Sequence, residues 1–179
     1  MAYTLDHPQV LQGLEELVRK GGKVRILADK TCAESGTPKG EHGFLKELEA
    51  TGAASTGEAQ IRLFSAQPRR TSGGGSWFPA QLHAKCGIVD AELPEATAWV
   101  GSLNLTENSA GYYEVVAVVR DAASVRDLKK VFDIWWEKGV AFDAQKIPAP
   151  RRSPSAGRGS TSSSELRASS STRRSSKSR

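Results

Sequence analysis

The chain has 179 residues, enough for one domain and a tail. A hydrophobic share of 38% and four Trp suffice for a core, and no apolar run reaches the ~18 residues of a membrane helix. The net charge is +5, but residues 150–179 hold eight Lys or Arg against one Glu, so the part before them is slightly acidic and offers no broad basic surface of its own.

The N-terminal stretch MAYTLDHPQVLQ lacks the basic region and apolar run of a signal peptide, which predicts an intracellular rather than secreted chain and assigns no organelle. Cys32 and Cys86 have no metal-ligand spacing, so two reduced, mostly buried thiols are expected.

Residues 8–20 predict a helix: Pro8 suits its first position, and Val10, Leu11, Leu14, Leu17 and Val18 make one apolar stripe ended by Gly21-Gly22. Val24–Ala28 reads as a strand with Asp29-Lys30 at its carboxyl end. Residues 31–41 are rich in turn formers and read as a loop. His42–Ala50 is a short helix with Phe44, Leu45 and Leu48 inward, and Ile61–Ser65 is a second strand.

Pro68–Pro79 reads as a flexible loop carrying Arg69-Arg70, three glycines and Trp77-Phe78. Three strands follow, Leu82–Val89, Thr97–Val100 and Tyr113–Val119, the last apolar on both faces as a central strand would be. Helix 124–138 closes the domain, with Ser124 and Asp127 as a capping box and Val125, Leu128, Val131, Phe132 and Trp135 as its inner stripe. Trp136 falls off that stripe and is expected at a rim or interface.

From Pro148 onward Ser, Arg, Pro, Gly and Thr dominate. Such a composition buries no core, so residues 1–147 are read as the folded domain and 148–179 as a disordered tail. Ser beside Arg, as in RRSPS and RRSSKSR, invites phosphorylation that would cancel the charge. The tail has two readings, a tether for RNA, DNA or an anionic membrane, and a solubilising extension. The order helix, strand, helix, strand, three strands, helix predicts an α/β fold with a mixed sheet flanked by helices; the strand that would open a βαβ unit has only MAYTLDH available to it.

Chemistry concentrates in residues 83–114. His83 and Lys85 lie two apart in the predicted strand, so imidazole and ammonium share a face, with Asp90 near the strand's far end. Gly101-Ser102-Leu103-Asn104 ends the next apolar run and offers hydroxyl and amide donors. A nucleophile or base, a fixed cation and a small-residue turn suit chemistry on a phosphate.

His83-x-Lys85-x4-Asp90 followed by Gly101-Ser102-x-Asn104 resembles the HKD signature of the phospholipase D superfamily, over roughly residues 3–140. The ten residues between Asp90 and Gly101 are longer than that family's spacing and read as a longer hairpin loop. The resemblance implies that His83 attacks phosphorus to form a phosphohistidine, with Lys85, Ser102 and Asn104 holding the phosphate oxygens and Glu114 orienting His83. It implies no metal and no cofactor. Asp90, part of the signature, is assigned to the loop behind Lys85.

A second imidazole is needed to protonate the leaving oxygen, and neither His7 nor His42 sits in an HxK pattern; both read as local or surface residues. The resemblance is therefore to single-motif members, the bacterial endonuclease and mitochondrial cardiolipin hydrolase (Zucchini) group, and a homodimer supplying the second motif is expected. The substrate is a phospholipid, such as cardiolipin or phosphatidylcholine, or a nucleic acid. The alternative of another class is a dimeric nucleic-acid-binding adaptor that works through the basic tail.

Overall fold

A computed structural model of the chain describes residues 4–35, 40–65, 69–70, 77–78 and 81–145. Helix α1 spans Pro8–Arg19. His7 caps it by accepting the Gln9 amide on Nδ1 at 3.3 Å, and Pro8 follows where its missing N–H costs nothing. Strand β1 (Lys23–Asp29) lies parallel to β2 (Glu58–Phe64), in register from Lys23–Glu58 to Asp29–Phe64. The crossover between them carries α2 (Lys30–Ser35) and α3 (Glu41–Ala53).

The short β3 (Arg69–Arg70) and β4 (Trp77–Phe78) pair antiparallel. A second antiparallel sheet follows in the order β5 (Cys86–Val89), β6 (Thr97–Gly101), β7 (Val116–Val119). Helix α4 runs Ala122–Lys138, and β8 (Val140–Ala141) returns to pair with β2.

Alternation along β1 explains the layering. Val24, Ile26 and Ala28 face one way and pack with Val18, Phe44, Leu45, Leu48, Ile61 and Leu63, which seats α1 and α3. Leu27 faces the other way and packs with Leu82, Phe132 and Trp136, so α4 covers the opposite face and reaches toward the second sheet. Ala96, Ala98 and Val125 continue that contact under β6. The result is the expected α/β arrangement, a sheet system flanked by helices.

Several local expectations change. Residues 31–41 are not all loop: α2 occupies Lys30–Ser35, because the Asp29 carboxylate accepts the Cys32 amide at 3.1 Å and caps a helix too short to show periodicity. Helix α4 starts two residues early, since Asp121, not Ser124, is its cap, accepting both the amide and the hydroxyl of Ser124 at 2.8 Å. Trp136 is a core residue at 5% exposure, with Arg25 and Arg62 laid on its ring, whereas Val131 of the expected inner stripe is exposed. Residues 113–115 are not strand, and β7 is no central strand among the described residues. It pairs with β6 alone there, and Val116, Ala117 and Val118 are exposed.

Among the described residues the expected opening strand shows as one parallel bridge, Leu5–Leu105. The tail from residue 148, and most of the Pro68–Pro79 loop, lie outside the described residues. Among the described residues no helix is long and apolar enough to cross a membrane.

Candidate active site

His83 and Lys85 precede the first ladder residue of β5, yet the pairing reaches them, because the Gly101 amide donates to the Lys85 carbonyl at 3.1 Å. That bond keeps the segment extended and puts both side chains on one face, as the spacing predicts. The Lys85 ammonium lies 3.1 Å from each ring nitrogen of His83 and 3.0 Å from its carbonyl oxygen. An ammonium has only donors, so it can bond the neutral ring only at the nitrogen without a proton, and which of the two that is depends on the tautomer. The imidazole is exposed while Lys85 is 6% exposed. Burial pushes the Lys85 pKa down, and the Glu114 carboxylate partly opposes that shift.

Gly101 and Ser102 form the second wall. A Cβ on Gly101 would sit 2.2 Å from the Val115 carbonyl oxygen, so only glycine lets β6 approach the segment after Glu114 this closely. The Ser102 amide donates to that carbonyl at 3.0 Å, and the Ser102 hydroxyl accepts the Val115 amide at 3.1 Å while donating to Glu114. Ser102 therefore holds Glu114, and Glu114 acts on Lys85 through space.

The six expected residues do not all converge. His83 and Lys85 touch, Ser102 and Glu114 touch, and electrostatics joins Glu114 to Lys85. Asn104 lines a neighbouring groove of about 460 Å³ with His7, Val10, Leu103 and Leu105, and its buried Oδ1 has no partner among the described residues. Asp90 stands apart. It sits exposed at the far end of β5, about 16 Å along the strand from Lys85 by strand rise, with φ at 51° and its carbonyl accepting the Leu93 amide at 2.8 Å. Its place is the turn into β6, away from the His83–Lys85 pair.

The other two histidines are elsewhere. His7 is spent on capping α1. His42 is half-buried, not superficial, with its ring edge-on to Phe142 at 5.8 Å. Sequence reasoning passed over Asp29, which is 1% exposed and accepts the Leu82 amide, immediately before His83, at 2.7 Å. A carboxylate directly after the apolar run Ile26-Leu27-Ala28 was the available signal. Nearby Glu41 is buried with both oxygens unpartnered among the described residues, and burial together with the charges of Asp29 and Asp6 raises its pKa to about 9. Among the described residues these carboxylates form no group arranged to hold a metal.

Two solved structures share this fold. NucT from Helicobacter pylori superposes with a TM-score of 0.60 at 18% identity, covering 79% of each chain. Nuc from Salmonella typhimurium, a phospholipase D family member, gives 0.60 at 19% identity, covering 79% of this chain and 78% of that one. These likenesses are of fold. No curated protein matches the sequence. A family model described as "Cardiolipin synthase, PLD-like domain" matches residues 1–136, and the chain belongs to the phospholipase D superfamily, whose chemistry is that of phosphodiesterases.

Proposed function

We propose that the chain hydrolyses a phosphodiester through a covalent intermediate on His83. An imidazole nitrogen attacks phosphorus, the bond to the leaving oxygen breaks, and a second imidazole gives that oxygen its proton. The same second imidazole then takes a proton from water, which displaces His83 and restores it. Lys85 holds the non-bridging oxygens, Ser102 adds its hydroxyl by turning from Glu114 and Asn104 its amide by turning from its groove, and Glu114 keeps the site's charge balanced. The observation that carries this is the Lys85 ammonium 3.1 Å from the ring nitrogens of an exposed His83: a phosphate oxygen entering there is the stronger acceptor and frees the ring to attack.

The second imidazole comes from a second copy of the chain. His7 caps α1 and His42 packs edge-on against Phe142, and Tyr112, Tyr113 and Val115 lie exposed on both sides of Glu114, which favours a partner beside the site. The substrate is a phospholipid such as cardiolipin or phosphatidylcholine, or a nucleic acid, and the basic tail adds affinity for RNA, DNA or an anionic membrane. The test is a panel of cardiolipin, phosphatidylcholine, single- and double-stranded DNA and RNA, run on the full chain and on one ending at Ala149. Mixed dimers of His83→Ala with wild type accompany it. Turnover by a strict monomer would refute the shared site. Nucleic-acid binding that survives His83→Ala, with no substrate ever turned over, would favour an adaptor instead.

A further inference from the structure

A nucleophile must be aimed closely, since misplacement by about 1 Å can cost about a hundredfold in rate. His83 is exposed and lies outside the ladder of β5. Lys85 restrains its ring, but the backbone that aims the ring is fixed one residue earlier. The His83 amide turns back onto the Gln81 carbonyl at 3.0 Å, a tight reversal that needs an anchor. Leu82 supplies it twice over. Its side chain, 1% exposed, packs with Leu27, Phe132 and Trp136, and its amide donates to Asp29 Oδ2 at 2.7 Å.

Asp29 is itself held at both carboxylate oxygens. It ends β1, it is buried, and its other oxygen holds the Cys32 amide at the start of α2. Capping α2 accounts for Oδ1 alone. The bond from Oδ2 crosses to the segment that becomes β5, and among the described residues the two sheets share no ladder with each other. A buried carboxylate is expensive unless hydrogen-bonded, and short charge-assisted bonds to backbone amides are among the strongest available.

We propose that Asp29 is a positioning residue for His83: its carboxylate pins the Leu82 amide to the end of β1 and so fixes the direction of the imidazole. The inference rests on the reading of His83 as the nucleophile. Lys85 is tied separately, through its carbonyl to Gly101, so loss of Asp29 disturbs attack more than phosphate binding.

The decisive variant is Asp29→Asn, which keeps the volume but has one oxygen for the two amides of Cys32 and Leu82 and sets a donor against the other; Asp29→Ala, which removes both acceptors, accompanies it. With bis(4-nitrophenyl) phosphate, kcat is expected to fall about tenfold or more while KM stays within about twofold. Leu48→Ala, a core change under α3, is the stability control and should leave kcat unchanged below its unfolding temperature. A spectroscopic readout is independent of turnover: the His83 ring signal, assigned by its loss in His83→Ala, should shift or broaden in Asp29→Asn while that of His7 stays. A second form of the chain, with an ester in place of the Leu82 amide, removes only the donor and should reproduce both effects. If Asp29→Asn does not fold, the ester form decides. Unchanged kcat and an unchanged His83 signal in either folded form would overturn the proposal, as would an equal kcat loss in Leu48→Ala. If the wild type cleaves no phosphodiester, the hydrolase reading falls, and the His83 signal alone decides the role of Asp29.

Discussion

The sheet of β1, β2 and β8 is covered on both faces, whereas the sheet of β5, β6 and β7 is covered by α4 on one face and largely open on the other. Parallel strands joined by a crossover must be buried twice over, so β1 is apolar at three consecutive positions, Ile26, Leu27 and Ala28, whose side chains alternate between the two faces. An antiparallel meander can face solvent, and the second sheet does so where the chemistry sits. The closed half supplies a rigid carboxylate, Asp29, and the open half supplies an accessible imidazole. One contact, from Leu82 to Asp29, transmits the rigidity of the first to the second.

The sharpest way to break that division is to remove function without touching stability. His83→Ala, at an exposed position, should lower kcat about a thousandfold or more and leave the urea midpoint where it was. Lys85→Met should cost about a hundredfold or more in turnover. Since Lys85 is buried, its removal also relieves a desolvated charge, so no destabilisation accompanies the loss of activity.

The closed half should show the reverse, an effect on stability governed by pH. Glu41 has an unfolded pKa near 4.5 and a folded value of about 9. Between those values the unfolded chain has released a proton that the folded chain retains, so stability is full below pH 4.5 and falls as pH rises toward 9. The loss across that window should amount to several kcal/mol. Glu41→Gln, neutral throughout, should flatten the dependence and raise stability at pH 8. A denaturation series at fixed ionic strength checks this. A Glu41→Gln chain as pH-sensitive as the wild type would assign the effect to another group.

Burial itself separates the halves next. Leu48→Ala, inside the cluster under α1 and α3, should cost about 3–5 kcal/mol in chemical unfolding. Val118→Ala, on the exposed face of β7, should cost within about 0.5 kcal/mol. Equal losses at the two sites would mean that the open face is covered in solution, as a second copy of the chain would cover it.

How far these halves could be read in the sequence follows from the same contrast. The apolar stripe of α1 and the alternation of β1 announce a closed core, and the HxK spacing places His83 and Lys85 together because a strand has a period of two. The GSxN turn is legible because glycine leaves room that Val115 needs. Burial on α4 was misjudged at Trp136 and Val131, since one helix touches two sheets and its stripe is wider than a single apolar face. Asp29 escaped notice because its partner, the Leu82 amide, is 53 residues away and carries no sequence signal. The exposure of β7 was equally hidden: an apolar run reports the tendency to be covered, not what covers it.

Protonation offers a finer probe of the open half. Burial lowers the pKa of Lys85, and Glu114 pulls it back up. The alkaline limb of kcat/KM should therefore fall below the usual lysine value of about 10.4. Glu114→Gln removes the anion that favours the ammonium, so the limb should move lower still. A limb that does not move would separate Glu114 from the charge of Lys85 and leave it only the Ser102 hydroxyl to hold.

The smallest expected effect tests the signature itself. Asp90 adopts a left-handed backbone, with φ at 51°, at the turn between β5 and β6. Asp tolerates that conformation better than residues without a short polar side chain, and glycine tolerates it best. Asp90→Gly should thus hold stability within about 0.5 kcal/mol, and Asp90→Ala should cost about 1 kcal/mol. Neither should change kcat by more than about twofold, because the carboxylate stands some 16 Å along the strand from Lys85. The third letter of the motif would then mark a turn that ends the catalytic strand, while the aspartate that bears on His83 is the one contributed by β1. A hundredfold loss of turnover in a stably folded Asp90→Gly chain would return the carboxylate to the chemistry and undo that distinction.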